Sequence, residues 1–103
     1  MKDRKELSCD IYRHLLAESI AAVNKRNLED AESRLKRAIA LDYTRPDAFN
    51  ILGIIMEIRS DIPRAQSYYR AALSLDPTYT PARDNLDRSV GFRKISQWNL
   101  GEE

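Results

Sequence analysis

The sequence predicts an all-α chain of antiparallel helical hairpins, about five helices long. Three observations carry that prediction. The first is internal repetition. Sliding the chain by 34 residues superposes Ile20 on Ile54, Ala31 on Ala65, Ser33 on Ser67, Ala38 on Ala72, Leu41 on Leu75, Asp42 on Asp76 and Thr44 on Thr78. A period of this length is the signature of stacked helical hairpins. The second is spacing. Apolar residues recur at Leu28, Ala31, Leu35, Ala38 and Ile39, and again at Ile62, Ala65, Tyr69, Ala72 and Leu73, the three-and-four rhythm of one helix stripe. The third is composition. Alanine, leucine, arginine and glutamate dominate, all good helix formers, and nothing reads as a strand.

The helices are expected near 6–25, 28–41, 46–59, 62–75 and 80–97. Asn27 and Asp61 stand where an N-cap belongs, because their short side chains accept bonds from the unpaired amides of the next turn. Asn27 with Asp30 reads as a capping box with Asp in place of Glu. Pro63 falls in the first turn of its helix, where a missing amide hydrogen costs little. Pro46, Pro77 and Pro81 punctuate the joints. Short connections make neighbouring helices pack antiparallel. A length of 103 residues suits one domain. Within it, the expected parts are a degenerate first repeat at 12–45, a second repeat at 46–79, a capping helix at 80–97 and a frayed tail at 98–103.

Composition narrows the function classes. The 17 basic and 16 acidic residues leave a net charge of +1, with no field to favour nucleic acid or an anionic membrane. The basic residues of the later helices, such as Arg34, Arg64 and Arg93, are interrupted by Glu32, Asp84 and Asp87 and form no continuous positive face. Cys9 is the sole cysteine, so neither an internal disulfide nor a cysteine metal cluster can form, which fits a reducing compartment. The charged N-terminus is not followed by an apolar core of signal-peptide length. The longest strongly apolar run, Ile51–Met56, is far short of a membrane span. Cytoplasmic residence is the expectation.

Chemistry is hard to find. His14 is the only histidine and is read as lacking carboxylates at ligand spacing, so no metal site is expected. Gly53 and Gly91 are isolated and build no phosphate-cradling loop. The acidic residues sit beside Arg and Lys on solvated faces, as surface ion pairs do. Cys9 has no catalytic neighbours and reads as a structural thiol. No enzyme activity and no cofactor are expected.

The second copy resembles the tetratricopeptide repeat (TPR) family, whose pattern is W-x2-L-G-x2-Y, then A-x3-F, then P. Phe49, Leu52, Gly53 and Met56 stand at the first set of positions, and Ala65, Tyr69, Ala72 and Pro77 at the later ones. The first copy resembles a degenerate TPR. Leu15 replaces the aromatic, Ser19 the glycine and Ala22 the tyrosine, while Glu18 stands at the leucine position. Its second half, Ala31, Leu35, Ala38 and Ile39, fits well. The resemblance implies an α-α superhelix with small residues, Gly53 and Ala65, where two helices approach closely. It implies a last helix acting as a solvent-facing cap.

The resemblance also implies a concave face that binds another protein, as a peptide or an amphipathic helix. The positions that carry ligand contacts in the family fall on Arg13, Leu16, Ile20, Val23 and Asn24 of the first copy. In the second they fall on Asp47, Asn50, Ile54, Glu57 and Ile58. The cap adds Asp84, Arg88 and Phe92. Leu16, Ile20, Val23, Ile54, Ile58 and Phe92 would form an apolar floor, with Arg13, Asp47, Glu57, Asp84 and Arg88 at its rim. Coverage of this floor within the chain, or in a homo-oligomer, is an open alternative. Leu16 and Ile20 replace the Lys and Asn that the carboxylate-clamp members of the family require, so that mode is excluded. Trp98 either folds back onto its own chain or docks in a partner or a second copy.

Overall fold

The computed structural model describes residues 3–91 and 98–102. Five helices follow one another: α1 (Arg4–Asn24), α2 (Leu28–Leu41), α3 (Asp47–Ile58), α4 (Ile62–Leu75) and α5 (Thr80–Val90). No strand occurs among the described residues. The fold is all-α, built of helical hairpins, as the periodicity requires. The chain divides into two compact units, 1–44 and 45–103. That division falls at the joint between the two copies, where length alone suggested one domain. No described helix is long and apolar enough to cross a membrane.

The helix ends follow the short polar signals. Asp3 caps α1 by accepting from the Glu6 amide at 2.8 Å, Asn27 caps α2 through the Asp30 amide, and Asp61 caps α4 through the Arg64 amide at 3.2 Å. The first helix starts at Arg4, a little earlier than expected, because Asp3 supplies a cap that the apolar pattern does not display. The last ends at Val90, with Gly91 in extended backbone, so the expected helix to residue 97 is not continuous. Residues 92–97, including Phe92, lie outside the described residues.

The duplication is written into the loops. After α2, the Asp42 carboxylate accepts from both the amide and the hydroxyl of Thr44; after α4, Asp76 does the same with Thr78. These paired bonds hold Asp76 below the usual carboxylate range. The Asp-x-Thr identity is thus an Asx turn used twice. The hairpin turns match as well. Arg26 and Ser60 both take positive φ, 62° and 65°, with the paired backward bonds of a Schellman motif: Asn27 N to Ala22 O and Arg26 N to Val23 O, Asp61 N to Met56 O and Ser60 N to Glu57 O. A side chain in this left-handed conformation costs roughly 1–2 kcal/mol, and glycine avoids most of it. Ser60→Gly is therefore expected to stabilise the protein by about 1 kcal/mol, read as a higher urea midpoint at unchanged slope.

In the first unit, Tyr12, Leu15, Ala22, Ala31, Leu35 and Ala38 are buried. Ser19, at the position a glycine would hold, is fully buried and satisfies its hydroxyl by donating to the Leu16 carbonyl at 2.7 Å. Glu18, the departure from the apolar pattern, is half-buried and meets Arg34 across the hairpin at 2.9 Å. Arg34 also bonds Asp30 one turn away, and these partners, Asp30 first, keep its guanidinium more firmly protonated than usual.

The second unit packs α4 against α3 and α5 against both. Eight of the residues of α3, Ala48 and Asn50 to Met56, are buried. Gly53 faces the ring of Tyr69, which is itself fully buried. This pairing of a missing side chain with a large one sets the approach of α3 and α4.

Candidate functional site

Two asparagines sit where apolar residues would be expected. Asn50, in the otherwise apolar Ala48–Met56 stretch, and Asn85, on α5, are 0% and 1% exposed. Burying an amide is tolerated only when its bonds are made. Here they are made with a third segment, Trp98–Gly101. Asn85 Nδ2 donates to Asn50 Oδ1 at 2.8 Å and to the Asn99 carbonyl at 2.8 Å. Asn50 Nδ2 donates to the same carbonyl at 2.9 Å. The Asn99 amide donates to Asn85 Oδ1 at 2.8 Å. Both backbone polar groups of one residue are thus gripped by two side chains from two helices.

The remaining contacts read side chains. Asn99 Nδ2 donates to Asp84 at 3.0 Å, while Asn99 Oδ1 accepts from the Gly101 amide at 3.0 Å. Gly101 has φ of 83°, and a Cβ there would lie 2.6 Å from the Tyr79 hydroxyl oxygen and 3.8 Å from Pro81. Only glycine suits both the conformation and the space. A cleft of about 460 Å³ is lined by Asp84, Asn85 and Arg88 together with Trp98, Asn99, Leu100 and Glu102.

The same unit holds a buried ion pair between α3 and α5. Arg88 Nη1 and Nη2 bind the two Glu57 oxygens at 2.7 and 2.6 Å, and the Tyr69 hydroxyl donates to the same carboxylate at 2.6 Å. The two charged side chains are 10% and 7% exposed. Burial pushes the Glu57 carboxyl up, but bonds from Arg88 and Tyr69, the Arg88 charge and the Trp98 indole outweigh it and hold the group below the usual carboxylate range. Burial, then the Glu57 carboxylate, push the Tyr69 phenol well above its ordinary value, so it stays a donor. Bonding to Glu57 raises Arg88. The three groups tie α3, α4 and α5 together in one network.

Several expected site residues change role. Ile54 is fully buried and Val23 is 3% exposed, so neither offers an open floor to a partner, and Asn50, also fully buried, bonds Asn85 and the Asn99 carbonyl. Glu57 and Arg88 are not free rim charges: they are two helices' halves of the buried pair. Leu16, Ile20 and Ile58 are half-buried, whereas Arg13, Asn24 and Asp84 are exposed. Asp47 lies 3.8 Å from Arg45, a loose surface pair. Phe92 is outside the described residues. The expected frayed tail is instead pinned at 98–101, because its polar groups find buried partners.

The sequence did not single out Asn85 or Tyr79, and of the tail it singled out only Trp98, as a residue that either folds back onto its own chain or docks elsewhere; the structure seats the segment on its own chain. One signal was available: a lone Asn inside the Ala48–Met56 apolar stretch asks what satisfies it. His14 also has a carboxylate neighbour after all, since Glu18, one turn on, lies 3.5 Å from its Nε2. No group of three or more His, Cys, Asp or Glu residues suited to a metal ion occurs among the described residues. No family model matches the chain, and no solved structure matches it.

Proposed function

We propose that the chain is a non-catalytic protein–protein interaction module of TPR type, which holds a non-helical segment of polypeptide on the α3–α5 face of its second unit. One observation carries this reading. Asn50 and Asn85 grip the carbonyl and amide of one residue of a non-helical segment at 2.8–2.9 Å, a contact to backbone that any peptide can offer. Asp84 and the cleft beside it add side-chain selection. The 34-residue duplication and the Phe49, Leu52, Gly53, Ala65 and Tyr69 pattern support the TPR assignment. A sole cysteine supports a reducing, cytoplasmic setting.

The reading differs from an apolar groove: the recognition is polar, and it takes non-helical backbone, not a helix face. It is tested with a photo-crosslinking residue at exposed Asp84 in the full chain, expressed in its source cells. A heterologous protein should be crosslinked. Asn85→Ala, which removes three of the bonds to bound backbone and to Asn50, should cut the yield about tenfold, since unpaired buried groups cost about 1–3 kcal/mol. Crosslinks that are absent, or that survive Asn85→Ala undiminished, would sink it. Crosslinks to further copies of the chain alone would favour self-association through the tail instead.

A further inference from the structure

We infer that α5 and the Asn99–Gly101 strap form a lid over one face of α3, and that this lid opens while the α3–α4 hairpin stays folded. The device is separate from the peptide reading and stands without it. Little apolar surface holds α5. Eight of the 12 residues of α3 are buried, and α4 adds Ala65, Tyr69 and Ala72. Of the 11 residues of α5, the buried ones are Ala82 and Asn85, a single methyl group and an amide. The attachment is polar instead. Asn85 bonds Asn50 at 2.8 Å, Arg88 bonds Glu57 at 2.7 and 2.6 Å, and Gln66 on α4 reaches Ser89 at 3.4 Å. The helix also starts loosely. Its N-cap, Tyr79, gives no side-chain bond, and the backbone bond that closes its first turn, Arg83 N to Tyr79 O, is 3.4 Å long. An element with few buried apolar contacts and a loose end is the kind that opens locally.

Register sets what the lid covers. Asn50, Ile54 and Glu57 follow one another at i, i+4 and i+7, one stripe of α3. Both ends of that stripe bond α5, through Asn85 and Arg88, so Ile54 between them lies under the same cover and is 0% exposed. The first copy is an internal comparison. Leu16 and Ile20, which stand 34 residues before Asn50 and Ile54, are half-buried, and the first unit holds α1 and α2 with no counterpart of α5. The strap is the fastener. The Asn99 carbonyl accepts from Asn50 on α3 and from Asn85 on α5, and the Asn99 amide donates to Asn85 Oδ1. One residue thus joins both sides of the α3–α5 seam. Lifting it removes bonds to both helices at once, so α5 loses part of its hold on α3 in the same step. Strap release and α5 opening therefore favour one another, and closure hides Ile54 from solvent.

Hydrogen exchange of the full chain, followed by mass spectrometry in low urea, tests the lid. Amides of α5 should exchange through an opening with a smaller urea slope than those of α4, because little surface is exposed. N99P removes the amide given to Asn85 Oδ1 and should speed α5 exchange at least about tenfold, with α4 exchange unchanged. Hydroxyl-radical footprinting of the same variant should raise oxidation of Ile54 but not of Ile55, one position round the helix. Circular dichroism checks that N99P is folded. If it is not, G101A replaces it: a Cβ there lies 2.6 Å from the Tyr79 hydroxyl oxygen at a φ of 83°, and it should give a smaller change in the same direction. Equal urea slopes for α4 and α5 in the wild type overturn the lid and make α5 part of the core. Unchanged α5 exchange in a folded strap variant overturns the fastener. Faster α5 exchange without added Ile54 oxidation overturns the covering of α3.

Discussion

Replacing Arg88 by methionine is expected to destabilise the protein by about 3–5 kcal/mol at neutral pH, the usual cost of leaving one partner of a buried ion pair alone. Met keeps most of the side chain's volume, so the loss reports charge more than packing. The pH dependence should change sign. In the wild type, the folded Glu57 lies below its ordinary value of 4.5. The unfolded chain then takes up the proton first on acidification. The stability that this group supplies is complete above its unfolded value and disappears as pH falls through the folded one. In R88M the burial that already opposes ionisation is no longer outweighed by a cation, and Glu57 rises above its unfolded value. The folded state now takes up the proton first, so R88M should gain stability as pH falls from 7 toward 4.5, where wild type gains none from this group. Urea titrations at pH 7 and 5 measure both slopes. The E57Q/R88M double variant should recover much of the loss, because it removes the stranded charge. A loss under 1 kcal/mol in R88M, with an unchanged pH slope, would show that the pair is open to water.

Gly53→Ala is expected to cost about 2–3 kcal/mol, although alanine in place of a mid-helix glycine ordinarily gains about 1 kcal/mol. The reversal comes from Tyr69. A Cβ on residue 53 would meet its Cε1 in a severe clash, with Cδ1 at 2.6 Å and Cζ at 2.9 Å. The ring cannot swing away, because it is fully buried and its hydroxyl is bonded to Glu57 at 2.6 Å. A double-mutant cycle decides whether the ring is the cause. In a Tyr69→Leu background the same Gly53→Ala change should become neutral or mildly stabilising. An equal cost in both backgrounds would place the strain elsewhere. The displaced ring would also disturb Glu57, so the fluorescence of Trp98, the only tryptophan, should change in G53A.

The helices and turns were legible because their causes are local. N-caps, an Asx turn and a three-and-four apolar spacing act within one or two turns of chain. Asn27, Asp42, Asp61 and Asp76 do in the structure what short side chains at those positions must do. The site was legible only in part. Asn50, Glu57, Asp84 and Arg88 were singled out by register, Asn50 as a groove position and the other three as an open rim around an apolar floor. Nothing local reveals that residue 57 meets residue 88, or that residue 99 meets both 50 and 85, since those pairings span 14 to 49 positions along the chain.

The sequence alone determined the helical-hairpin architecture, its duplication and the need for something small at residue 53. Periodicity and capping suffice for the helices, because each depends on neighbours one turn away; the duplication shows in the 34-residue repeat, and the small residue at 53 is what the TPR resemblance implies. Only the tertiary structure decided that the tail is a seated segment and that Glu57 and Arg88 are a buried pair. Those outcomes depend on which polar groups lose water together. A hydrogen bond between distant residues forms when packing excludes solvent from both, and that exclusion is a property of the assembled helices of the second unit.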